Sequence, residues 1–326
     1  MLKFLARRFV NYVILVFIAT SLTYVLASMT FHPENRYNQR NPPVPQTTIN
    51  SILDASNANP NTPISTRYGR WIRGVLQGDF GQKLGSPDTV TSEIGRRVGV
   101  SLRLLLLGTI IGTVIGVAVG VIGAVRQRKP FDAASTAASY VVLASPIVVI
   151  ILLTQTAAVW INNKTGSIVL PTALEYNSNL SGVHFWTDRL QRLILPTFVL
   201  SITSIAFFSR YQRSAMLDVL GSDFLRTARA KGLTRRQALM KHGVRTALIP
   251  MVTFFAYSFG LLITGAIFTE KLFAWHGMGE YLIDSINSRD TNAVCAVTCF
   301  TAVLVLLSGM LSDIIYAALD PRVRSR

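Results

Sequence analysis

The chain alternates between long apolar stretches without charged residues and shorter segments rich in Lys and Arg. An α-helix needs about 20 apolar residues to cross the ~30 Å hydrocarbon core of a bilayer. Six stretches of 17 to 28 residues contain no Asp, Glu, Lys or Arg. The pattern therefore predicts an all-α membrane protein with six transmembrane helices, at residues 9–31, 104–125, 133–160, 193–209, 247–269 and 291–312, the last continuing toward Ala318.

The first span has the charged start of a secretory signal peptide, with Lys3, Arg7 and Arg8 before it. Its 23 uncharged residues exceed the usual signal core of about 7–15 residues. A retained membrane anchor is therefore the favoured interpretation. Proline interrupts the third span at Pro146 and lies near the start of the fourth at Pro196.

The orientation follows from the distribution of Lys and Arg, which are enriched in cytoplasmic segments. With the N-terminus inside, the inner segments carry 18 basic and 4 acidic residues, and the outer segments carry 13 basic and 11 acidic residues. Both termini are therefore predicted in the cytoplasm. The inner segments are residues 1–8, 126–132, 210–246 and 319–326, and the outer segments are 32–102, 161–192 and 270–290.

Composition agrees with this interpretation. Half of the residues are hydrophobic and 15% are charged, whereas soluble chains carry about 25% charged residues. Of the net charge of +16, the inner segments carry +14 and the outer segments +2, so the charge is a topology signal. No nucleic-acid partner is therefore expected, whereas contact with membrane lipid is. Two cysteines in one apolar segment and four scattered histidines give no metal-ligand spacing, and no cofactor is expected.

The predicted domain organisation has four parts. They are the N-terminus and first span (1–31), a large extracytoplasmic loop (32–102), a core of five spans (103–318) that includes the inner loop 210–246, and a cytoplasmic tail (319–326). The first part of the large loop is rich in Pro and Asn and is expected to be irregular. Its second part predicts an amphipathic helix from Arg67 to Leu76.

The inner loop contains a basic knob, defined here as residues 223–245. Asp223 suits the start of a short helix and Gly232 its C-terminal end, after which Thr234 can cap a second helix from Arg235 to Arg245. Two interpretations of the knob stay open from periodicity alone: a protein docking site, or a solvated loop that serves topology. The site residues of the docking hypothesis are Asp223, Arg226, Thr227, Ala228, Arg229, Ala230, Lys231, Gly232 and Leu233.

Four glycines of the second span recur at every fourth position and so share one helix face. Small residues permit the close backbone contact on which helix association in lipid depends. The face is expected to pack tightly, either on another helix of the chain or on a partner subunit. These residues are Gly108, Gly112, Gly116 and Gly120.

A few residues are candidates for lining a transport pathway. Asp313 is a carboxylate inside the last span, where charge is costly, although an interfacial ion pair near the cytoplasm explains it more simply. Phe254, Phe255 and Tyr257 in the fifth span could line a peptide pathway, or pack as core or lipid-facing side chains.

The knob and five other motifs together resemble one family along nearly the whole chain. The segment RTARAKGL (226–233) is similar to the coupling loop of ABC-importer permeases, in particular the first of the two permease subunits of the dipeptide and oligopeptide branch. The broad family motif begins Glu-Ala-Ala where this chain has Arg226-Thr227-Ala228, a departure that the peptide branch shares. The other matching motifs are LARRF (5–9), ALIP (247–250), GDFG (78–81), TEKLFAWHGMGEYLIDSINSRD (269–290) and DPRVR (320–324).

The resemblance implies half of a translocation pore in a bacterial inner membrane. Its implied partners are a homologous second permease, one or two cytoplasmic ABC ATPase subunits and an extracytoplasmic substrate-binding protein, with a peptide as cargo. The chain has no Gly-x-x-x-x-Gly-Lys-Ser/Thr motif, so ATP hydrolysis is expected in the partner subunits and this chain is not expected to be an enzyme. A self-sufficient secondary transporter or channel is the alternative, but it predicts more intramembrane ionisable residues than Asp313.

Overall fold

Helices account for nearly all the regular structure. The computed structural model describes residues 2–38, 42 and 44–319, and the side chains of 6–37, 42, 44–251, 254–255 and 266–315. Within these residues the β-structure is one isolated bridge, between Gln82 and Thr89. The helices are α1 (Leu2–Thr30), α2 (Asn35–Asn38), α3 (Gln46–Ala55), α4 (Ile64–Leu76), α5 (Val90–Val125), α6 (Pro130–Ala144), α7 (Ile147–Thr165), α8 (Gly182–Leu220), α9 (Asp223–Ala230), α10 (Arg235–Ala238), a π-helical segment (Leu239–Gly243), α11 (Val244–Leu272), α12 (Met278–Asn287) and α13 (Thr291–Leu319).

Five helical segments in the described part of the chain are long and apolar enough to cross a membrane. The predicted fifth span, 247–269, lies within α11 but is not among these five. The five segments are Ala6–Thr30, Val90–Val125, Ile147–Thr165, Gly182–Leu220 and Thr291–Ile315.

The third predicted span, 133–160, is divided into two helices rather than formed by one. Helix α6 ends at Ala144 and α7 begins at Ile147, with Ser145 and Pro146 both in extended conformations between them. A residue before proline is pushed out of the helical region, and proline has no N–H to donate. The break is therefore a local consequence of the Ser-Pro sequence.

Two other predicted spans are parts of much longer helices. Helix α5 starts at Val90 instead of Leu104, and α8 extends from Gly182 to Leu220 instead of from Leu193 to Ser209. Charged residues at the starts of both predicted spans lie on these helices and have partners in the protein, since Arg103 of α5 pairs with Glu175. For example, Asp188 accepts a hydrogen bond from Arg192 one turn along α8.

The chain divides into two compact units, and the first contains Met1–Leu102 and His276–Leu306. The Pro- and Asn-rich part of the large loop was expected to be irregular, but residues 46–55 form α3 because Ile49 and Leu53 are buried on one of its faces. A second cluster joins Tyr24 of α1 and Trp71 of α4 to Cys295 of α13. This unit therefore has its own apolar packing.

Two buried polar side chains before and at the start of α13 bind the turn around residues 82–84. Asp290 is 3% exposed and accepts hydrogen bonds from the N–H groups of Leu84 (2.7 Å) and Ala293 (3.0 Å). The Asn292 amide donates to the carbonyl oxygens of Ser56 and Gln82. Burial raises the pKa of the Asp290 carboxyl, and the two backbone N–H groups oppose that shift.

The second unit contains Arg103–Trp275 and Leu307–Arg326. Helix α8 is its centre, since α6, α7 and α11 all pack against it. Its buried residues include Val199, Phe208 and Met216, each essentially inaccessible to solvent. The glycine face and the basic knob both belong to this unit.

Candidate functional site

The four glycines of α5 lie directly against α8 of the same chain. A Cβ atom built on Gly108 would lie 2.8 Å from the Leu200 Cβ, and one built on Gly116 would lie 2.8 Å from the Phe208 Cβ. Real side chains do not approach so closely, so glycine is needed at these positions. The face is thus occupied by an internal helix, one of the two arrangements that the sequence left open.

The opposing residues on α8 also recur at every fourth position. They form a ridge that enters the glycine groove, with none more than 5% exposed. A ridge of residues four apart that packs into a groove with the same spacing is a common mode of helix packing. The ridge consists of Leu200, Ser204, Phe208 and Gln212.

The basic knob is attached to this helix pair by apolar packing. Leu225, 7% exposed, is the buried residue of α9 and packs in a cluster with Met216 of α8 and Ala247 of α11. Ala228 and Leu233 are half-buried against the same cluster. Helix α9 is therefore fixed to the ends of two long helices, although it has only eight residues.

A Schellman motif ends α9. Gly232 has a left-handed φ of +93°, and its N–H donates to the carbonyl of Arg229 at 3.0 Å. The N–H of Leu233 donates to the carbonyl of Ala228 at 3.3 Å, which completes the motif. No atom lies within 4 Å of a Cβ built on Gly232, so the backbone conformation, and not crowding, requires glycine there.

The second half of the knob is continuous with α11. Thr234 and Gln237 form a capping box at the start of α10, as the sequence predicted for Thr234. The prediction of a separate helix that ends at Arg245 is wrong, because the π-helical segment 239–243 joins α10 to α11 without a break. Gly243 is buried, and its Cβ position lies 3.5 Å from Val219 of α8, so the joint packs closely on that helix.

The surface of the knob is strongly basic. Residues 223–245 contain seven Arg or Lys and a single acidic residue, Asp223. Asp223 and Arg226 form an ion pair at 3.5 Å that is largely exposed and therefore contributes little stability. Arg229, Lys231 and the exposed Thr227, Ala230 and Gly232 complete the outer side of α9 and its end.

Two exposed apolar side chains lie on the same knob and were not in the predicted site. Phe224 is 42% exposed and Met240 is 60% exposed. Hydrophobic residues on a charged surface are typical of contact sites for protein partners. The exposure of Phe224 follows from the orientation of α9, since Leu225 takes the buried position beside it.

An ion pair near the same end of α8 was also missed by the sequence analysis. Asp132 of α6 is 4% exposed and accepts two hydrogen bonds from Arg213 of α8, at 2.5 and 2.8 Å, and one from the N–H of Arg128. The Arg213 guanidinium holds the pKa of the Asp132 carboxyl below its usual value. The signal in the sequence was Pro130 followed by an acidic residue in the first turn of a helix.

The structure describes three of the four side chains proposed to line a pathway. Phe254 stacks on Tyr211 of α8 with ring centroids 4.3 Å apart, and Phe255 is half-buried. Asp313 is half-buried on α13, and the side chain of Tyr257 lies outside those described. Pathway lining therefore stays a prediction for all four.

A cavity of about 370 Å³ opens between α5, α6 and α8, and Arg213 of the Asp132–Arg213 pair is one of its lining residues. Hydroxyls of Ser135, Ser139 and Ser209 line it, and Arg210 lies over the Tyr140 ring at 4.1 Å. In the residues that the structure describes, no group of three or more His, Cys, Asp or Glu could hold a metal ion.

Comparison with known proteins identifies the class. Residues 112–325 match the family described as binding-protein-dependent transport system inner membrane component. The chain is 49% identical over 328 residues to the oligopeptide transport system permease protein OppB of Mycobacterium tuberculosis, with 99% of each chain covered. It therefore belongs to this family of transporter permeases and is a multi-pass protein of the bacterial inner membrane.

More distant relatives extend the similarity. The chain is 35% identical to the oligopeptide transport system permease protein AppB of Bacillus subtilis, over 81% of each chain. It is 32% identical to the dipeptide transport system permease protein DppB of Escherichia coli, over 81% of this chain and 82% of that protein. A permease chain in an inward-facing structure of the MetNI methionine ABC transporter matches with a TM-score of 0.49 and 18% identity, over 70% of this chain and 96% of that one.

Proposed function

We propose that this chain forms one half of the translocation pore of an ATP-driven peptide importer. A homologous second permease would form the other half, cytoplasmic ABC ATPase subunits would hydrolyse ATP, and an extracytoplasmic binding protein would deliver the peptide. The peptide cargo rests on the full-length similarity to a permease named for oligopeptide transport, with 99% of both chains aligned.

In the proposed topology the chain crosses the membrane six times and has both termini in the cytoplasm. The sixth crossing is α11, whose 29 residues are long enough to span a bilayer. The broken α6–α7 pair counts as one crossing in this scheme. Segment 32–102 then lies outside, and the excess of Lys and Arg in the four inner segments supports that orientation.

Cysteine labelling tests the topology. Asn61 and Arg236 are both exposed, and they lie on opposite sides in the proposal. A membrane-impermeant maleimide should label Asn61→Cys in intact cells, and Arg236→Cys only after permeabilisation. Labelling of both from outside would contradict the proposed orientation.

The basic knob is the proposed docking element for the ATPase. One observation carries this proposal: a short helix with an exposed basic surface is fixed by Leu225 to the ends of α8 and α11. A force on α9 would therefore move two long helices. Phe224 and Met240 add apolar area to the contact, and the basic residues favour an acidic groove on the partner.

The test is charge reversal on α9 and at its end. Arg229→Glu combined with Lys231→Glu should weaken ATPase docking and reduce ATP-driven peptide uptake in proteoliposomes about tenfold, which corresponds to roughly 1.4 kcal/mol of lost contact energy. The matched control is Arg70→Glu with Arg73→Glu, two exposed arginines of α4.

We expect the control variant, Arg70→Glu with Arg73→Glu, to co-purify with the ATPase and to take up peptide as the wild type does. Unchanged uptake and unchanged co-purification in the Arg229/Lys231 variant would contradict the docking role of the knob. Uptake by the purified chain without any ATPase would contradict the importer proposal as a whole and favour a secondary transporter.

A further inference from the structure

The first three turns of α8 have apolar side chains on the outside. Val183 is 76% exposed, Trp186 is 61% exposed and Leu190 is 64% exposed. Their spacing of three and four residues places them on one face of the helix. The stripe continues through Ile194 and Phe198, each 50% exposed, into the predicted span.

The charged residues of the same turns point toward the protein. The side chain of Asp188 is 13% exposed and pairs with Arg192, which is 14% exposed and also donates to the carbonyl of Ala173. Glu175, 11% exposed, accepts hydrogen bonds from Arg103 and Arg189. The loop before α8 therefore covers its polar face and leaves its apolar face open.

The end of α7 repeats this arrangement. Asn162 uses its side-chain amide to bind the backbone of Val169 and Leu170, which holds the loop against α7. Ile168 nevertheless projects outward and is 74% exposed, and Trp160 is 58% exposed. We name the set Trp160, Ile168, Val183, Trp186 and Leu190 the apolar collar.

Such an arrangement is unfavourable in water. A helix at an aqueous surface exposes its charged face and buries its apolar face, and each large apolar side chain left exposed forgoes about 1.5–3 kcal/mol of burial free energy. Here the ionic groups are paired inside and the apolar groups are outside. The medium in contact with the collar is therefore apolar.

We propose that the collar contacts the headgroup–acyl boundary of the lipid bilayer, so that α8 meets the membrane near Trp186 rather than near Leu193. Tryptophan and tyrosine are enriched at this boundary. Cations accompany them here: Lys164 lies over the Trp160 ring at 4.3 Å, and Arg189 lies 5.8 Å from the Trp186 ring and 6.0 Å from that of Tyr176. Lys164 is thus placed to contact lipid phosphates while the rings contact acyl chains, and Arg189 is held by Glu175 on the inner side of the Trp186 ring.

Tryptophan fluorescence tests the proposal because the chain has an internal control. Of its four tryptophans, Trp160 and Trp186 are exposed, whereas Trp71 and Trp275 are at most 5% exposed. In nanodiscs made with lipids brominated near the headgroup end of the acyl chain, the tryptophan fluorescence of the full chain should fall by up to about half. The reason is that two of the four tryptophans lie in the collar. The double variant Trp160→Phe with Trp186→Phe should lose this quenching.

Equal lipid quenching of the wild type and the double variant would overturn the proposal, as would stronger quenching of the wild type by aqueous acrylamide than by the brominated lipid. A photo-crosslinking phenylalanine at position 186 then identifies the neighbour in the assembled complex. We expect the probe at position 186 to form a lipid adduct. The same probe at position 226, on the exposed knob, should form no lipid adduct. A crosslink from position 186 to another protein chain would show that a subunit, and not lipid, covers the collar.

Discussion

The glycine groove of α5 allows a quantitative prediction from a single methyl group. In Gly112→Ala the new Cβ would overlap the Ser204 Cβ and lie 3.1 Å from the Ser201 carbonyl oxygen. Backbone cannot move aside as a flexible side chain can, so α5 and α8 must separate locally. We expect Gly112→Ala to destabilise the chain although alanine is the better helix former.

The expected size follows from two opposing terms. Overpacking of a well-packed contact costs typically about 1–3 kcal/mol, and exchange of glycine for alanine in a helix gains about 1 kcal/mol. The net loss for Gly112→Ala is therefore about 1 kcal/mol. The larger Gly112→Leu and Gly116→Leu substitutions should prevent the helices from packing, which would lower yield and subunit association.

The matched control lies on the same helix. Gly95 and Gly99 have no atom within 4 Å of a built Cβ, so Gly95→Ala should stabilise the chain by about 0.5–1 kcal/mol. The two alanine variants should thus shift stability in opposite directions. The loss in the Gly112→Ala/Ser204→Gly double variant should be smaller than the sum of the losses in the two single variants, because Ser204→Gly removes the Cβ that the new methyl group meets.

The assay is unfolding of the purified chain in mixed micelles by titration with sodium dodecyl sulfate, followed by circular dichroism. The order of midpoints should be Gly95→Ala, wild type and Gly112→Ala, from most to least stable. If Gly112→Ala is as stable as Gly95→Ala, the close packing of α5 on α8 is wrong.

Three further predictions concern single contacts. Asp132→Asn should cost about 2 kcal/mol through loss of its charge-assisted bonds to Arg213, and it should also remove an acid-dependent loss of stability. Because the folded pKa of Asp132 lies below 3.8, the ion pair contributes fully above that value and is lost as pH falls through the lower folded pKa; an unchanged acid limb of the pH–stability curve in Asp132→Asn would contradict this. Asp290→Asn should place an NH₂ group against the N–H of Leu84 and speed hydrogen exchange of that amide, whereas wild-type protection would show that the bond is dispensable. Gly232→Ala should cost about 1 kcal/mol because of the positive φ, without a clash, and should reduce coupled peptide uptake more than chain yield; equal losses of both would indicate a folding defect alone.

Periodicity and charge located the parts of the fold that depend on local rules. The apolar run before Thr30 predicted α1, and Asp223, Gly232 and Thr234 marked the turns of the basic knob because capping is decided by neighbouring residues. The four glycines predicted a close contact, but a partner helix cannot be read from one face alone. Only the structure identifies α8 as the helix that packs against the glycines.

The errors have a common physical origin in contacts between distant residues. The predicted span 193–209 covers only part of α8 because Asp188, Arg189 and Arg192 look like the end of an apolar run, whereas in the folded chain Arg189 pairs with Glu175 and Arg192 with Asp188. Helix α3 was missed because prolines nearby suggested a loop, yet burial of Ile49 and Leu53 stabilises a helix. Phe224 was overlooked because its exposure depends on how α9 docks.

The continuity of α10, the π-helical segment and α11 makes the two attachments of the basic knob mechanically unequal. On one side Gly221 and Ser222 separate α8 from α9, so a change in their backbone angles can absorb rotation there. On the other side the backbone stays helical for 38 residues, from Arg235 to Leu272, with the π-helical segment and Pro250 inside this stretch. A sideways push on the knob would reach α8 through the two-residue link at Gly221 and Ser222. It would reach α11 through a continuous helical backbone. The same displacement of the knob would then be passed to α11 more directly than to α8.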